Sequence, residues 1–494
     1  MPALHASEPS HVAGRAVSLE RLRGRPASLA GALLAYAGLA ALLTWSRLAG
    51  LGSSFCCDEL ATIDRFVREG PATILAGPYL PNNHQLFSLL AWATGELTGE
   101  SEVAFRLWSA IPFVLGVLLV TGWLHVRAGA LPGLVFCLLA TFAPLLVDVT
   151  RQARGYGLAF LCMAVAVVAA LEAVRSRSRR AVLALAAAGV VGTWTLPHLA
   201  IAWGVAFLAV LSVPCLRRAA GLAGAASAVA IGAWYAPHAP AILASSAQDY
   251  GRPIPTAWLL TAPLDQTLAP ALTVIDDTFV DPGLGSLALV APLAAVIAAS
   301  PFLRDARAAL VLAGPPVATV LAFWAAGSGV TPRFFTFLLV PLLVLVSTGT
   351  AAALSRPASL VSRLQALAAV AVLALVLAEG LPWLARIPRL PRESLRDAAA
   401  AIRESAPAGA RVVAYMPYTA DLEFFLGRRV RKVARPADVE RLCASGGGAV
   451  LVVQPWLLPP PAIPCADRPG TRRARFEQYA RGGRIDVWFL ASER

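Results

Sequence analysis

The chain has 494 residues, 57% of them hydrophobic and only 14% charged, with a formal net charge of +13. Soluble domains average nearer ~25% charged residues, so this composition excludes an ordinary soluble globular protein. Much of the excess arginine lies in short stretches between long apolar runs. There it acts as a topology signal, and no nucleic-acid partner is expected.

In chain order, residues 1–28 carry Arg15, Arg21, Arg23 and Arg25 with few hydrophobes. They predict a cytoplasmic N-terminal tail with no cleavable leader. The first apolar run, 29–50, is expected to exit on the outer side. Apolar runs of about 17–25 residues, each able to cross a ~30 Å hydrocarbon layer, recur as far as Trp383. They are rich in Ala, Leu, Val and Gly, which lets helices pack closely. Basic clusters at 125–127, 175–180, 217–218 and 304–307, and Arg356 with Arg363, are expected in the cytoplasm. That choice places 51–101, 148–156, 196–198, 241–283 and 327–334 outside, and it predicts about eleven spans. The run 85–97 is only about 13 residues long, so an interfacial or re-entrant helix is expected there.

From 391 onward Arg, Glu, Asp, Pro and Gly become frequent. "SLRDAAAAIRES" has helical spacing, while "ARVVAYM", "GAVLVVQ" and "RIDVWFL" are short β-rich runs. This alternation predicts a small α/β domain over 391–494 on the outer side. The fold class is therefore an all-α polytopic membrane module over 29–390, with outer loops 51–101 and 241–283, followed by a small C-terminal α/β extracytoplasmic domain. The seven cysteines have no metal-type spacing. Cys137, Cys162 and Cys215 fall in apolar runs and read as packing residues. Adjacent Cys56 and Cys57 are poorly placed for a mutual disulfide. Cys443 and Cys465 are candidates to pair if their region lies outside the cytoplasm.

Most of the unusual polar residues fall in the outer segments. The first holds Asp58, Glu59, Asn83 and His84; the second Asp148, Arg151, Arg154 and Tyr156; the third His198; the fifth Arg333. The fourth carries Gln248, Asp249, Tyr250, Arg252, Asp265, Asp276, Asp277 and Asp281, which read equally well as a solvated loop. Asp58 and Glu59 could simply solvate a helix end, but a carboxylate beyond the C-terminus of an outward-running helix is disfavoured by the dipole. Arg151 and Arg154 could snorkel to headgroups, yet an outer basic pair runs against the usual bias and points to an anionic partner. Arg333 at a helix start is unfavourable for the dipole and would suit a phosphate. His84 and His198, each taken alone, read more readily as structural residues than as ligands. Arginines at the lipid boundary can hold a phosphate whose tail stays in the bilayer. A carboxylate beside them can take a proton from a hydroxyl or hold a divalent metal.

These segments resemble a known family. "SSFCCDELATID" resembles the acidic first-loop motif of the polyprenyl-phosphate-sugar-dependent glycosyltransferases of the GT-C superfamily. More narrowly it resembles family 39, the protein mannosyltransferases and aminoarabinose-type lipid A transferases. "NNHQLFSLLAWATGELTGESEVAFRLWSAI", "DVTRQARGYGLAF" and "TPRFFTFLLVPLLVLV" are similar to three later motifs, with Asn-Asn-His-Gln where the family often has His-Pro-Pro. "SLRDAAAAIRESAPAGARVVAY" resembles the α/β region common in bacterial members.

The resemblance implies transfer of one sugar from a polyprenyl-phosphate donor to a lipid, glycan or protein acceptor on the outer face of the plasma (inner) membrane. It carries Asp58 over as catalytic base or metal-holding acid, with Glu59 supporting it or contacting the acceptor. Arg151, Arg154 and Tyr156 are expected near the donor phosphate, with Arg333 a further candidate. His84, Asn83 and His198 are candidate acceptor or metal contacts. A divalent metal ion is the one cofactor it raises, and membrane lipids are partners throughout. The rival reading is a flippase or transporter of lipid-linked sugars. It predicts ionisable residues within the spans and inverted repeats. Few such charges stand out: Glu172 and Glu379 lie near helix ends.

Overall fold

The structure is a computed structural model. It describes residues 29–491 except 56–57, 78–79, 81–82, 241–286, 326–331, 356–358, 390, 392–393, 408, 417–418, 434, 446–447, 455–460 and 479–483. The expected N-terminal tail and the outer loop 241–283, with its acids, lie outside the described residues.

The membrane part opens with α1 (Leu29–Leu48). The first segment expected outside then folds as α2 (Asp58–Thr62), continued by a π-helical turn at Ile63–Val67, α3 (Pro71–Ala76) and α4 (Gln85–Thr98). Next come α5 (Glu102–Ala128), α6 (Ala130–Phe142), α7 (Pro144–Val149), α8 (Tyr156–Ser176), α9 (Arg179–Thr195), α10 (Leu199–Leu211) and α11 (Arg217–Tyr235). After the loop follow α12 (Leu287–Ala298), α13 (Ala306–Leu312), α14 (Gly314–Ala325), a 3₁₀ segment (Pro332–Leu338), α15 (Leu339–Ser355) and α16 (Leu360–Arg386).

Among the described residues five helices are long and apolar enough to cross a membrane, six if the bent pair α13–α14 is one span. The sequence count of about eleven also takes in shorter apolar helices such as α6 and α10. The chain is a multi-pass membrane protein. At 14 residues α4 rises only ~21 Å, too little to cross.

Packing follows from small residues. A Cβ on Gly157 of α8 would stand 1.9 Å from the Ser109 carbonyl oxygen of α5, so these two helices meet backbone to backbone there. At Gly116 of α5 a Cβ would stand 3.1 Å from Phe160 and from Leu161 of α8, a second tight contact. At the other end of the same pair, Arg127 of α5 and Glu172 of α8 form an ion pair at 2.6 Å. This pair lies at the end expected to be cytoplasmic.

The C-terminal region is α17 (Leu395–Ser405), β1 (Arg411–Tyr415), α18 (Ala420–Leu426), β2 (Arg431–Val433), α19 (Pro436–Ala444), β3 (Ala449–Val453), β4 (Arg472–Glu477) and β5 (Arg484–Leu490). Its five-stranded sheet has the order β2-β1-β3-β5-β4. β1 runs parallel to β2 and β3, and β5 runs antiparallel to β3 and β4. Period-two alternation sends Val412 and Ala414 to a core with α17 and α18, and Val413 and Tyr415 to a second core with α19. Cys443 and Cys465 form a disulfide in that second core. The unit touches residues 54–102 of the membrane part: Arg396 pairs with Glu102, its backbone N–H donates to Ser54 Oγ at 3.1 Å, and Arg68 lies over Phe424.

Candidate active site

Asp58 and Glu59 do not sit on the end of α1. They open a new helix ten residues further on, where acids suit the N-terminal dipole, so the expected dipole penalty does not arise. Successive residues then point in different directions, and the two acids part company.

The Asp58 side chain is 25% exposed, and its Oδ2 is 2.7 Å from Arg154 Nη1 and 2.7 Å from Arg333 Nη2. Arg154 is fully buried and Arg333 is 37% exposed. A carboxylate from the first outer segment thus bridges guanidiniums from the second and fifth. The unfavourable placement of Arg333 at a helix start is offset by that charge.

Glu59 is 1% exposed and takes a two-pronged pair from Arg106, Nε to Oε1 and Nη2 to Oε2, both at 2.9 Å. The Ala153 backbone N–H donates to Glu59 Oε1 at 2.6 Å. Arg106 also donates to the carbonyls of Leu51, Ser53 and Ser54. One buried ion pair therefore ties the chain before Asp58 to the residue before Arg154, across helix α5.

His84 lies beneath this arrangement. The Gly155 N–H donates to its Nδ1 at 2.9 Å, and Nε2 stands 3.0 Å from Arg154 Nη2. Burial first, then the charges of Arg154 and Arg333, hold the ring well below the usual histidine range, so it is neutral. With Nδ1 accepting, the proton sits on Nε2 and faces an arginine donor. An anionic oxygen placed to one side, within reach of both donors, would satisfy both. Tyr156 is fully buried, its ring 5.1 Å from His84 and 5.2 Å from the Arg154 guanidinium carbon. Its hydroxyl is buried with no hydrogen-bond partner among the described residues, a costly arrangement that a ligand would relieve.

The other expected site residues are placed differently. Arg151 Nη2 donates to the Ala49 carbonyl at the end of α1. Asn83 donates to the Ile74 carbonyl at 2.9 Å and accepts from Ser88 Oγ at 3.1 Å, fastening α3 to α4. His198 packs among Phe323, Phe334, Phe335 and Phe337, and its Nε2 lies 2.7 Å from the Phe334 carbonyl oxygen. It anchors the residue next to Arg333. Burial pushes it down to about 4.

Sequence reasoning missed Arg106 as a site residue. It lies inside an apolar helix, and an ionisable residue within a span was the available signal. Among the described residues no three His, Cys, Asp or Glu side chains gather as a metal-ion group. The ionic groups against Asp58 are guanidiniums, which do not fit a cation site.

No family model and no curated protein matches this sequence. Solved structures do. The chain is similar to ArnT from Cupriavidus metallidurans bound to undecaprenyl phosphate, with 15% identity, 95% of this chain and 100% of that one covered, and a TM-score of 0.50. The apo state of the same protein aligns with 14% identity, the same coverage and a TM-score of 0.51. AglB from Archaeoglobus fulgidus with an inhibitory peptide and dolichol-phosphate is less alike, at 14% identity, 86% and 69% coverage and a TM-score of 0.47. Matched over the whole of ArnT at 14–15% identity, the chain shares the fold of that protein.

Proposed function

We propose that this protein is a membrane glycosyltransferase. It moves a sugar from a polyprenyl-phosphate donor to an acceptor hydroxyl on the outer face of the membrane. The observation that carries the reading is the Asp58 carboxylate held between Arg154 and Arg333, at 2.7 Å from each. Two guanidiniums that bridge a carboxylate present the donor set that also binds a phosphate.

In this reading the donor phosphate takes over Arg154 and Arg333, with His84 Nε2–H and the Tyr156 hydroxyl as neutral donors beside it. Losing its arginine partners leaves the Asp58 carboxylate to face the acceptor. It accepts the hydroxyl proton as the acceptor oxygen bonds to the anomeric carbon. The bond from that carbon to the phosphate oxygen breaks, and the polyprenyl phosphate leaves with its charge held by the arginines. Glu59, buried against Arg106, positions Asp58 without touching substrate. Arg151 holds the end of α1 rather than the donor.

The test uses membranes containing the parent protein or Asp58→Asn and a panel of labelled polyprenyl-phosphate sugars. One donor should be consumed by the parent and not by the variant. Equal consumption by both, or movement of intact donor across the bilayer without transfer, would overturn the assignment in favour of a flippase.

A further inference from the structure

The C-terminal unit has apolar cores of its own on the two faces of its sheet, with a disulfide in the second. Its contacts with the membrane part are additional to those cores, and they gather around Asp58. Phe424 and Phe425 of α18 pack against a buried cluster that includes Phe55, Leu60, Phe105 and Ala153. Phe55 stands just before Asp58 in the chain and Leu60 just after it, and Ala153 is the neighbour of Arg154.

A polar link runs beside this packing. The Arg396 N–H at the start of α17 donates to Ser54 Oγ at 3.1 Å, and the Ser54 carbonyl accepts from Arg106 Nη2 at 3.0 Å. Arg106 in turn holds Glu59, the residue beside Asp58. The Arg396 side chain pairs with Glu102. Glu102 and Arg106 lie one helical turn apart on α5, so one turn of helix is tied both to the C-terminal unit and to Glu59. Ser54 is 4% exposed, and a hydrogen bond shielded from water in this way is electrostatically stronger. Simple docking of two units needs only a shared apolar face. Here the apolar and the polar contacts both reach the residues that flank Asp58.

We propose that the C-terminal unit is a positioning element for Asp58, acting through Arg396, Ser54 and Phe424. Its kinetic consequence rests on the transfer reading above; the mechanical link does not. In that reading Arg154 and Arg333 hold the donor and Asp58 takes the proton. Releasing the link should therefore lower kcat about tenfold or more while leaving the donor KM within about threefold.

The test uses the full-length protein in detergent. Ser54→Ala combined with Arg396→Ala removes the polar links, and Phe424→Ala removes packing while leaving them. Hydrogen exchange over residues 51–68 should rise in both, with the sheet strands as protected as in the parent. The fall in kcat at a parent-like donor KM should accompany it. Arg396→Lys, which keeps a cation for Glu102, should stay near the parent. So should Arg441→Ala, 71% exposed on α19, on the face of the sheet opposite α17 and α18. Parent-like exchange over 51–68 in both link variants would overturn the positioning role, whether or not transfer is found. A parent-like kcat, or a loss confined to the donor KM, would overturn it as well. Equal donor consumption by the parent and Asp58→Asn would instead sink the transfer reading, and the exchange result then decides the link alone.

Discussion

Replacing Glu59 with alanine should loosen the candidate site before it changes any chemistry. The variant leaves Arg106, 1% exposed, with its carboxylate gone. Removing one partner of a buried ion pair costs about 3–5 kcal/mol, because the other charge stays buried without compensation. The Ala153 N–H loses its acceptor as well. Arg106 keeps its bonds to the carbonyls of Leu51, Ser53 and Ser54, so the loss is expected toward the lower end of that range. Glu59→Gln retains an acceptor and should cost roughly 1.5–3 kcal/mol for the charge-assisted bonds it weakens. The assay is thermal unfolding of the purified protein in detergent, with hydrogen exchange read over residues 51–68. Glu59→Ala should lower Tm and expose that segment, and the double variant with Arg106→Ala should lose less than the two single losses added together. A parent-like Tm and unchanged exchange in Glu59→Ala would refute the clamp.

Three further outcomes follow from the same structure. His198 is held near a pKa of about 4 in the fold against an ordinary 6.5. Its neutral form is favoured by folding, so its contribution is full above about pH 6.5 and is lost as pH falls toward 4. Tm should drop across that window, and His198→Gln should flatten the drop. Gly157→Ala forces a Cβ into the Ser109 carbonyl and should cost about 1–3 kcal/mol by overpacking, read as a lower Tm with reduced transfer. Cys443→Ser opens a disulfide that spans 22 residues and should cost the C-terminal unit about 3 kcal/mol, read as faster proteolysis there under non-reducing conditions.

Much of this was legible from the chain. Apolar runs of spanning length assigned the membrane class, because the bilayer imposes one length on every crossing. The short run 85–97 was excluded as a span by length alone, and α4 is that short helix. The α/β alternation after residue 391 corresponds to the five-stranded sheet, since strand periodicity is local.

The division of labour among the site residues came only from the folded chain. Asp58 and Glu59 are neighbours in sequence, and one carboxylate bridges arginines while the other is locked to Arg106. Arg151 and Arg154 are three apart, yet one reaches α1 and the other Asp58. Which partner a charge meets depends on helices brought together from distant parts of the chain, here across 96 residues from Asp58 to Arg154 and 275 from Asp58 to Arg333. No local pattern encodes those pairings. They follow from glycine contacts such as Gly157 on Ser109, which set how closely the helices can approach. The sequence by itself determined that acids and arginines would flank the apolar runs. The tertiary packing decided which of them meet.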